Sequence, residues 1–181
     1  MFRKIILITL TIVILITTIG YLLSDQMYYA RIISDAKLQT PKNVYEWVRK
    51  NNPSAIYSNT SPAPYVSPKF NIINKRKLYC DESAIVMATL NHQLGYKTRL
   101  INLIGMDGIS HHTILEVYEG ISWKTYDHFN GIYHLSHQKL AGYPLLKTEI
   151  NPYPKTYNFV INNNYFLKKL AFFVRGIQEP N

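Results

Sequence analysis

Cysteine is nearly absent from this sequence: the 181 residues include one, Cys80. A single cysteine excludes an internal disulfide, so the fold has to be held by packing alone. Hydrophobic residues make up 47% of the chain, which is enough for one domain with a continuous core, and the length leaves no room for two. The lone thiol therefore has no partner cysteine within the chain, and its own chemistry has to be explained.

Acidic residues are also scarce. The chain has 11 Asp and Glu against 20 Lys and Arg, a formal charge of +9. Such a surface suits anionic lipid headgroups or an acidic cell-envelope glycan, although a dispersed basic surface without a specific partner is the commoner case. Nucleic acid is not expected as a partner, because the domain is predicted to lie outside the cytoplasm.

Charge is missing altogether from residues 5–23, a run of nineteen mostly apolar positions. As a helix this run would span roughly 28 Å, close to the hydrocarbon thickness of a bilayer and longer than the apolar part of a cleaved signal peptide. We therefore expect an uncleaved anchor rather than a cleaved signal. Arg3 and Lys4 lie on one flank, so the positive-inside rule places that flank in the cytoplasm. The remaining chain is then expected in the periplasm or at the cell surface.

Beyond the anchor, residues 24–39 read as a stalk and residues 40–160 as the domain. In residues 161–181, apolar side chains recur at helical spacing beside lysines. This amphipathic tail suits either a bilayer surface or the domain itself, and packing on the domain is favoured.

Within the domain, Thr40 and Pro41 form a helix start, and this helix should end near residues 51–53. Residues 54–69 are rich in Pro, Ser and Asn, which predicts a surface loop. From residue 78 onward the apolar pattern predicts a mostly buried helix that Gly95 terminates, followed by three strands. These predicted elements cover residues 83–94, 96–104, 112–118 and 121–128.

The last two strands form a predicted hairpin with geometric consequences. If Glu119 and Gly120 are the loop residues, the positions of each opposed pair add up to 239, and His112 faces Asp127. Opposed residues of antiparallel strands have Cβ atoms about 4.5–5.5 Å apart, which allows an imidazole–carboxylate hydrogen bond. Trp123 is expected on the same face as His112 and Asp127.

Cys80 lies where the buried helix begins, just after the basic residues 75–77. Free backbone N–H groups and nearby cations both favour a thiolate there, whereas the acidic residues 81 and 82 oppose it. A hydrogen-bonded His112 would offset that opposition, and Asp127 would fix the ring. This is the nucleophile, base and orienter arrangement of covalent catalysis.

These residues resemble the transglutaminase-like superfamily. Its helix pattern, in which Ala, Gly and Arg follow the cysteine by four, fifteen and nineteen positions, is met by Cys80, Ala84, Gly95 and Arg99. Its strand patterns, H-x-x-x-E-V and W-x-x-x-D, are met by His112, Glu116, Val117, Trp123 and Asp127. The resemblance covers residues 78–128. It implies an α+β fold in which the nucleophile helix packs on an antiparallel sheet, with a papain-like triad of Cys80, His112 and Asp127.

The sequence departs from the family pattern at two places: Tyr79 stands where glycine is frequent, and Thr113-Ile114 follows the histidine. Neither departure removes a catalytic group. The backbone N–H of Cys80 is the favoured oxyanion donor. Tyr79, Asn71 and Asn74 are candidate side-chain donors, and Trp123 is a candidate supporting residue.

The resemblance implies acyl transfer or hydrolysis on peptide or amide bonds through a thioester, with a peptide or protein as substrate and no cofactor. Hydrolysis is favoured over crosslinking, because water is always at hand. The alternative is a non-catalytic envelope protein that binds peptide or anionic glycan. Six histidines raise the question of zinc, but H-E-x-x-H and a cysteine pair are missing from the sequence, so a metal site is not expected.

Overall fold

The computed structural model describes residues 2–55, 67–133 and 135–153, and the predicted tail 161–181 lies outside them. The chain forms a mixed α/β fold with an antiparallel sheet, in agreement with the predicted α+β class. The helices are α1 (Phe2–Asp35), α2 (Pro41–Asn51), α3 (Pro68–Ile73), α4 (Cys80–Gln93) and α5 (His137–Ala141). The strands are β1 (Thr98–Gly105), β2 (Ser110–Glu119), β3 (Ser122–Asp127), β4 (Ile132–Tyr133) and β5 (Leu145–Tyr153).

Helix α1 has two parts with different surroundings. Its stretch Ile8–Asp35 is the one helix of the described chain that is long and apolar enough to cross a membrane, and most of its apolar side chains are exposed. The end predicted as a stalk packs on the domain instead of standing clear of it: Tyr29 is 1% exposed and belongs to the main core. Asp25 accepts a hydrogen bond from Lys69 Nζ at 2.8 Å, which fixes α1 to α3.

Helices α2 and α3 begin with the same signal, a hydroxyl at the N-cap followed by proline. Thr40 Oγ1 accepts from the backbone N–H of Asn43 at 3.2 Å, and α2 ends at Asn51, so the predicted helix is confirmed. Helix α3 begins inside the loop predicted for residues 54–69, with Ser67 at its N-cap and Pro68 at its first position. The prolines in that stretch favoured a loop prediction, although Ser67 followed by Pro68 is the same signal that begins α2.

The sheet has the strand order β4-β3-β2-β1-β5 and is antiparallel throughout. Strand β5 pairs along the whole of β1, and sequence patterning did not predict it because its burial does not alternate and it contains Pro152. Proline is tolerated in β5 because this strand lies at an edge of the sheet. Helix α5, which was also not predicted, brings Leu140 to the sheet.

Both faces of the sheet carry packed apolar side chains. One face, with Leu115 and Val117, packs on α4 and on α1, α2 and α3, and the opposite face, with Ile114, packs on Leu140 of α5. Helix α4 is mostly buried, as predicted, and Gly95 follows it with a φ of 88°, a conformation that favours glycine. The helix is thereby held between α2 and the sheet, with its first residue, Cys80, near β2.

The hairpin between β2 and β3 has a different register from the predicted one. Tyr118 pairs with Trp123, so the opposed positions add up to 241 and the loop consists of Gly120 and Ile121. Gly120 has a φ of 64°, and glycine at the first loop position suits a type II′ turn. The predicted direct opposition of His112 and Asp127 is therefore wrong. A shift of two positions keeps each side chain on its face, so Asp127 becomes a diagonal neighbour of His112.

Candidate active site

Cys80 is the first residue of α4 and is 6% exposed. Tyr79 precedes it in an extended conformation, and its carbonyl accepts the first intrahelical bond, from the Ser83 N–H at 2.9 Å. The N–H groups before that bond have no intrahelical carbonyl to which they can donate, so they give the helix start a partial positive charge. The sulfur therefore lies at the electropositive end of a buried helix.

Asn52 anchors the segment that leads into Cys80. Its side-chain amide donates to the carbonyl oxygens of Asn71 at 2.9 Å and Arg76 at 3.1 Å. The backbone of Leu78 is held as well: its N–H donates to Pro53 at 2.9 Å. These bonds fix both the α3 end and the residues just before the thiol.

The basic residues before Cys80 have different surroundings. Arg76 Nη1 lies 3.9 Å from Glu82 Oε1, while Lys75 and Lys77 are exposed to solvent. Burial raises the pKa of Glu82, and the Tyr79 N–H, which donates to this carboxylate at 3.2 Å, and Arg76 only partly oppose that effect. The charge of Arg76 is thus directed to Glu82.

His112 and Asp127 are brought together despite the changed register. The ring Nε2 of His112 lies 2.8 Å from Asp127 Oδ2, and the two side chains are only 8% and 1% exposed. The remaining ring nitrogen, Nδ1, is then the one available to a second partner. His112 also makes a side-chain hydrogen bond with Cys80, so sulfur, ring and carboxylate form one chain of contacts.

The ionisation of His112 is strongly shifted. Burial disfavours the charged ring, but hydrogen bonds to Asp127 and Cys80 outweigh it and raise the pKa of His112 to about 9. The ring is therefore an imidazolium at neutral pH, placed between two groups that carry negative charge when ionised. Such a ring can give a proton to a leaving group and later take one from water.

Residues that sequence reasoning missed surround this chain of contacts. Asn130 donates twice to Asp127, from its side-chain amide at 2.8 Å and from its backbone N–H at 3.1 Å. The ring of Phe129 meets that of His112 edge-on, with centroids 5.9 Å apart. Asn followed by Gly is a common turn signal, and Asn130 with Gly131 could have indicated a turn just after β3.

His128 links the end of β3 to the segment before the thiol. Its Nε2 lies 2.8 Å from the backbone oxygen of Asn52, and Ser54 Oγ lies 3.4 Å from its Nδ1. Burial lowers the pKa of His128, which keeps the ring neutral, with one nitrogen as donor and the other as acceptor. Asn52 therefore contacts both halves of the candidate site.

The other predicted site residues lie in different places. Asn74 is exposed, and its amide donates to Phe70 within the last turn of α3. Trp123 stacks under the guanidinium of Arg99, 4.0 Å from ring centroid to Cζ. Asn71 is buried, and its Oδ1 accepts from Arg76 at 3.1 Å. Of the predicted oxyanion and supporting residues, Tyr79 is next to the sulfur by sequence, and its backbone N–H is already used by Glu82.

Across the residues that the structure describes, no group of three or more His, Cys, Asp or Glu side chains is placed to hold a metal ion.

Glu116 lies beside the site and contacts Arg99 at 2.6 Å and His137 at 2.7 Å. The Arg99 ion pair and the His137 hydrogen bond join β1, β2 and α5 beside the site.

Comparisons with known proteins give a likeness in structure only. No family model and no curated protein matches the sequence. Legionella pneumophila LapG is similar at 13% identity, with a TM-score of 0.49, over 79% of this chain and 86% of that chain. Its calcium-bound form is 14% identical, with a TM-score of 0.46, over 70% of this chain and 76% of that chain. Its EGTA-treated form is 16% identical, with a TM-score of 0.43, over 69% of this chain and 68% of that chain. Function therefore has to be inferred from the contacts within this chain.

Proposed function

We propose that this protein is a transglutaminase-like cysteine enzyme that cleaves or transfers amide bonds of a peptide or protein. Cys80 is its nucleophile, His112 its general acid and base, and Asp127 the residue that orients the ring. The observation that carries the proposal is the buried chain of contacts from sulfur to ring to carboxylate, with the ring charged at neutral pH. A cysteine that only fills space in an apolar core needs neither a histidine nor a carboxylate beside it.

The reaction has two halves. The Cys80 thiolate attacks the amide carbonyl carbon, and the resulting oxyanion accepts a hydrogen bond from the Cys80 backbone N–H. His112 gives its proton to the leaving amine, the C–N bond breaks and a thioester remains. His112, now neutral, then takes a proton from water, the hydroxide attacks the thioester, and the thiolate leaves with the product carboxylic acid released.

A second amine in place of water would give transamidation. We favour hydrolysis, because it needs no acceptor site. Asp127 holds the ring through Nε2, which leaves Nδ1 to exchange the proton in both halves of the reaction.

We further propose that α1 anchors the enzyme in a membrane and that the domain lies outside the cytoplasm. The support is the exposed apolar surface of the stretch Ile8–Asp35 and the basic flank at Arg3 and Lys4. The basic surface would then face anionic headgroups or envelope glycan.

Thiol alkylation of the full chain in detergent tests the catalytic proposal, because Cys80 is the one cysteine in the sequence and all labelling reports on it. A free thiol is about 3% ionised at pH 7, so a thiolate held by an imidazolium should react with iodoacetamide roughly tenfold faster than the urea-unfolded chain. His112→Ala should remove that advantage.

His111→Ala is the matched control, since the neighbouring ring is exposed and pairs with Asp107 instead. It should leave the rate unchanged. Equal rates in the wild type, in His112→Ala and in the unfolded chain would refute the catalytic proposal and favour the non-catalytic binding protein.

A further inference from the structure

We propose that Asn130 is a positioning residue of this enzyme: it fixes the Asp127 carboxylate and screens the His112–Asp127 hydrogen bond from solvent. This inference rests on the proposed function. It concerns a residue outside the three that carry the reaction.

The first support is the share of the Asp127 hydrogen bonds that Asn130 supplies. Asp127 is 1% exposed, and a buried carboxylate is costly unless hydrogen bonds satisfy it. Its Oδ2 accepts from His112 at 2.8 Å and from the Asn130 amide at 2.8 Å, and its Oδ1 accepts from the Asn130 N–H at 3.1 Å. Asn130 thus supplies two of these three bonds and contacts both oxygens, which prevents rotation of the carboxylate.

The second support is the direction of the amide. One hydrogen of its NH₂ group goes to Asp127, and the other goes to the Leu140 carbonyl at 3.3 Å. The nitrogen also lies 3.4 Å from His112 Nε2. Asn130 Nδ2 and His112 Nε2 are both donors, so they cannot bond to each other and instead donate to the same oxygen, Asp127 Oδ2. The side chain is therefore oriented for the carboxylate by α5 as well as by β3.

The third support is the position of Asn130 relative to solvent. Asn130 is exposed, whereas His112 and Asp127 are buried beneath it. Water at Oδ2 would compete for the carboxylate and weaken its hold on the ring, because hydrogen bonds and ion pairs are weaker in a high dielectric. The amide occupies the place from which such a water would approach.

Asn130→Ala tests this role in the full chain. It keeps the hydrogen bond from the backbone N–H to Asp127 but removes the bond from the side-chain amide. Because one of the two Asn130 bonds to the carboxylate is then lost, we expect the pKa of His112, followed by NMR, to fall by about one. Iodoacetamide labelling of Cys80 at pH 8.5 should fall about threefold. Asn130→Ser, whose hydroxyl can still donate, should recover part of both losses.

Asn51→Ala is the matched control, because that amide also makes a side-chain to backbone bond, to Trp47 at 2.8 Å, but lies outside the site. It should lower thermal stability without moving the His112 titration. If Asn130→Ala behaves like Asn51→Ala while His112→Ala still abolishes rapid labelling, the positioning role is refuted and the proposed function stands. If labelling ignores His112→Ala, both are refuted.

Discussion

Asp127→Asn is the substitution that most directly probes the electrostatics of the site. It keeps the size of the side chain but removes the negative charge and replaces one acceptor oxygen with a donor. At the position of Oδ2 that donor would meet the His112 ring and the Asn130 side-chain amide, and at the position of Oδ1 it would meet the Asn130 backbone N–H, all of which now donate to Asp127. The ring would lose its main stabilising partner while remaining buried.

The magnitude follows from the shift in His112, whose pKa is about 9 against an ordinary 6.5. A pKa of about 9 in place of 6.5 corresponds to about 3 kcal/mol in favour of the charged ring. Without the carboxylate, burial still opposes the charged ring and the Cys80 contact still favours it, so the pKa of His112 should fall from about 9 toward its ordinary 6.5. If it falls all the way, the charged fraction at pH 7.5 drops from about 97% to about 9%, and labelling of Cys80 slows by up to roughly tenfold.

Two assays on the full chain check this expectation. The first follows the histidine ring protons by NMR between pH 5 and 10.5, and His112→Gln identifies the resonance of interest. The second measures iodoacetamide labelling across the same range. A His112 titration that stays near 9 in Asp127→Asn would refute the reasoning, since it would mean that the carboxylate does not hold the charge on the ring.

Three further outcomes are expected. The pKa of His112 is higher in the folded chain than its ordinary value, so the charged ring should stabilise the fold by about 3 kcal/mol below about pH 6.5, and this contribution should be lost as pH rises through about 9. Between pH 6 and 10, the free energy of urea unfolding should therefore fall more in the wild type than in His112→Gln. Arg99→Ala leaves Glu116, 5% exposed, without its guanidinium, and should cost about 2 kcal/mol or more in urea unfolding while labelling of Cys80 stays within twofold of wild type. Gly120→Ala forces a φ of 64° on a residue with a Cβ and should cost about 1 kcal/mol in thermal unfolding, whereas Gly120→Asn should cost less.

Local signals in the sequence were sufficient for several elements. A hydroxyl before a proline predicted the start of α2, and a run of apolar residues with Gly95 after it predicted a buried α4. Alternation along β2 and β3 predicted which side chains share a face. Since a shift by two positions preserves that alternation, His112 and Asp127 still meet although the predicted register is wrong.

Other features depend on contacts that sequence spacing does not encode. Strand β5 gains its place from pairing with β1, and its own sequence has neither clear alternation nor a run of β-branched residues. Asn52 and His128 lie 76 positions apart, and only the folded chain brings them together. The contacts of Arg76 and Asn74 depend on the fold in the same way, because nearness to Cys80 along the chain does not determine where a side chain points.

The continuity of α1 has a mechanical consequence. At about 1.5 Å per residue, its 34 residues form a rod of roughly 50 Å, with one end exposed and apolar and the other end fixed in the core by Tyr29 and the Asp25–Lys69 pair. The helix is unbroken between the two ends, which restricts rotation of the domain relative to the apolar end. If the apolar end lies in a bilayer and the proposed function holds, the helix sets the height of Cys80 above the lipid, and a substrate has to present its scissile bond at that height.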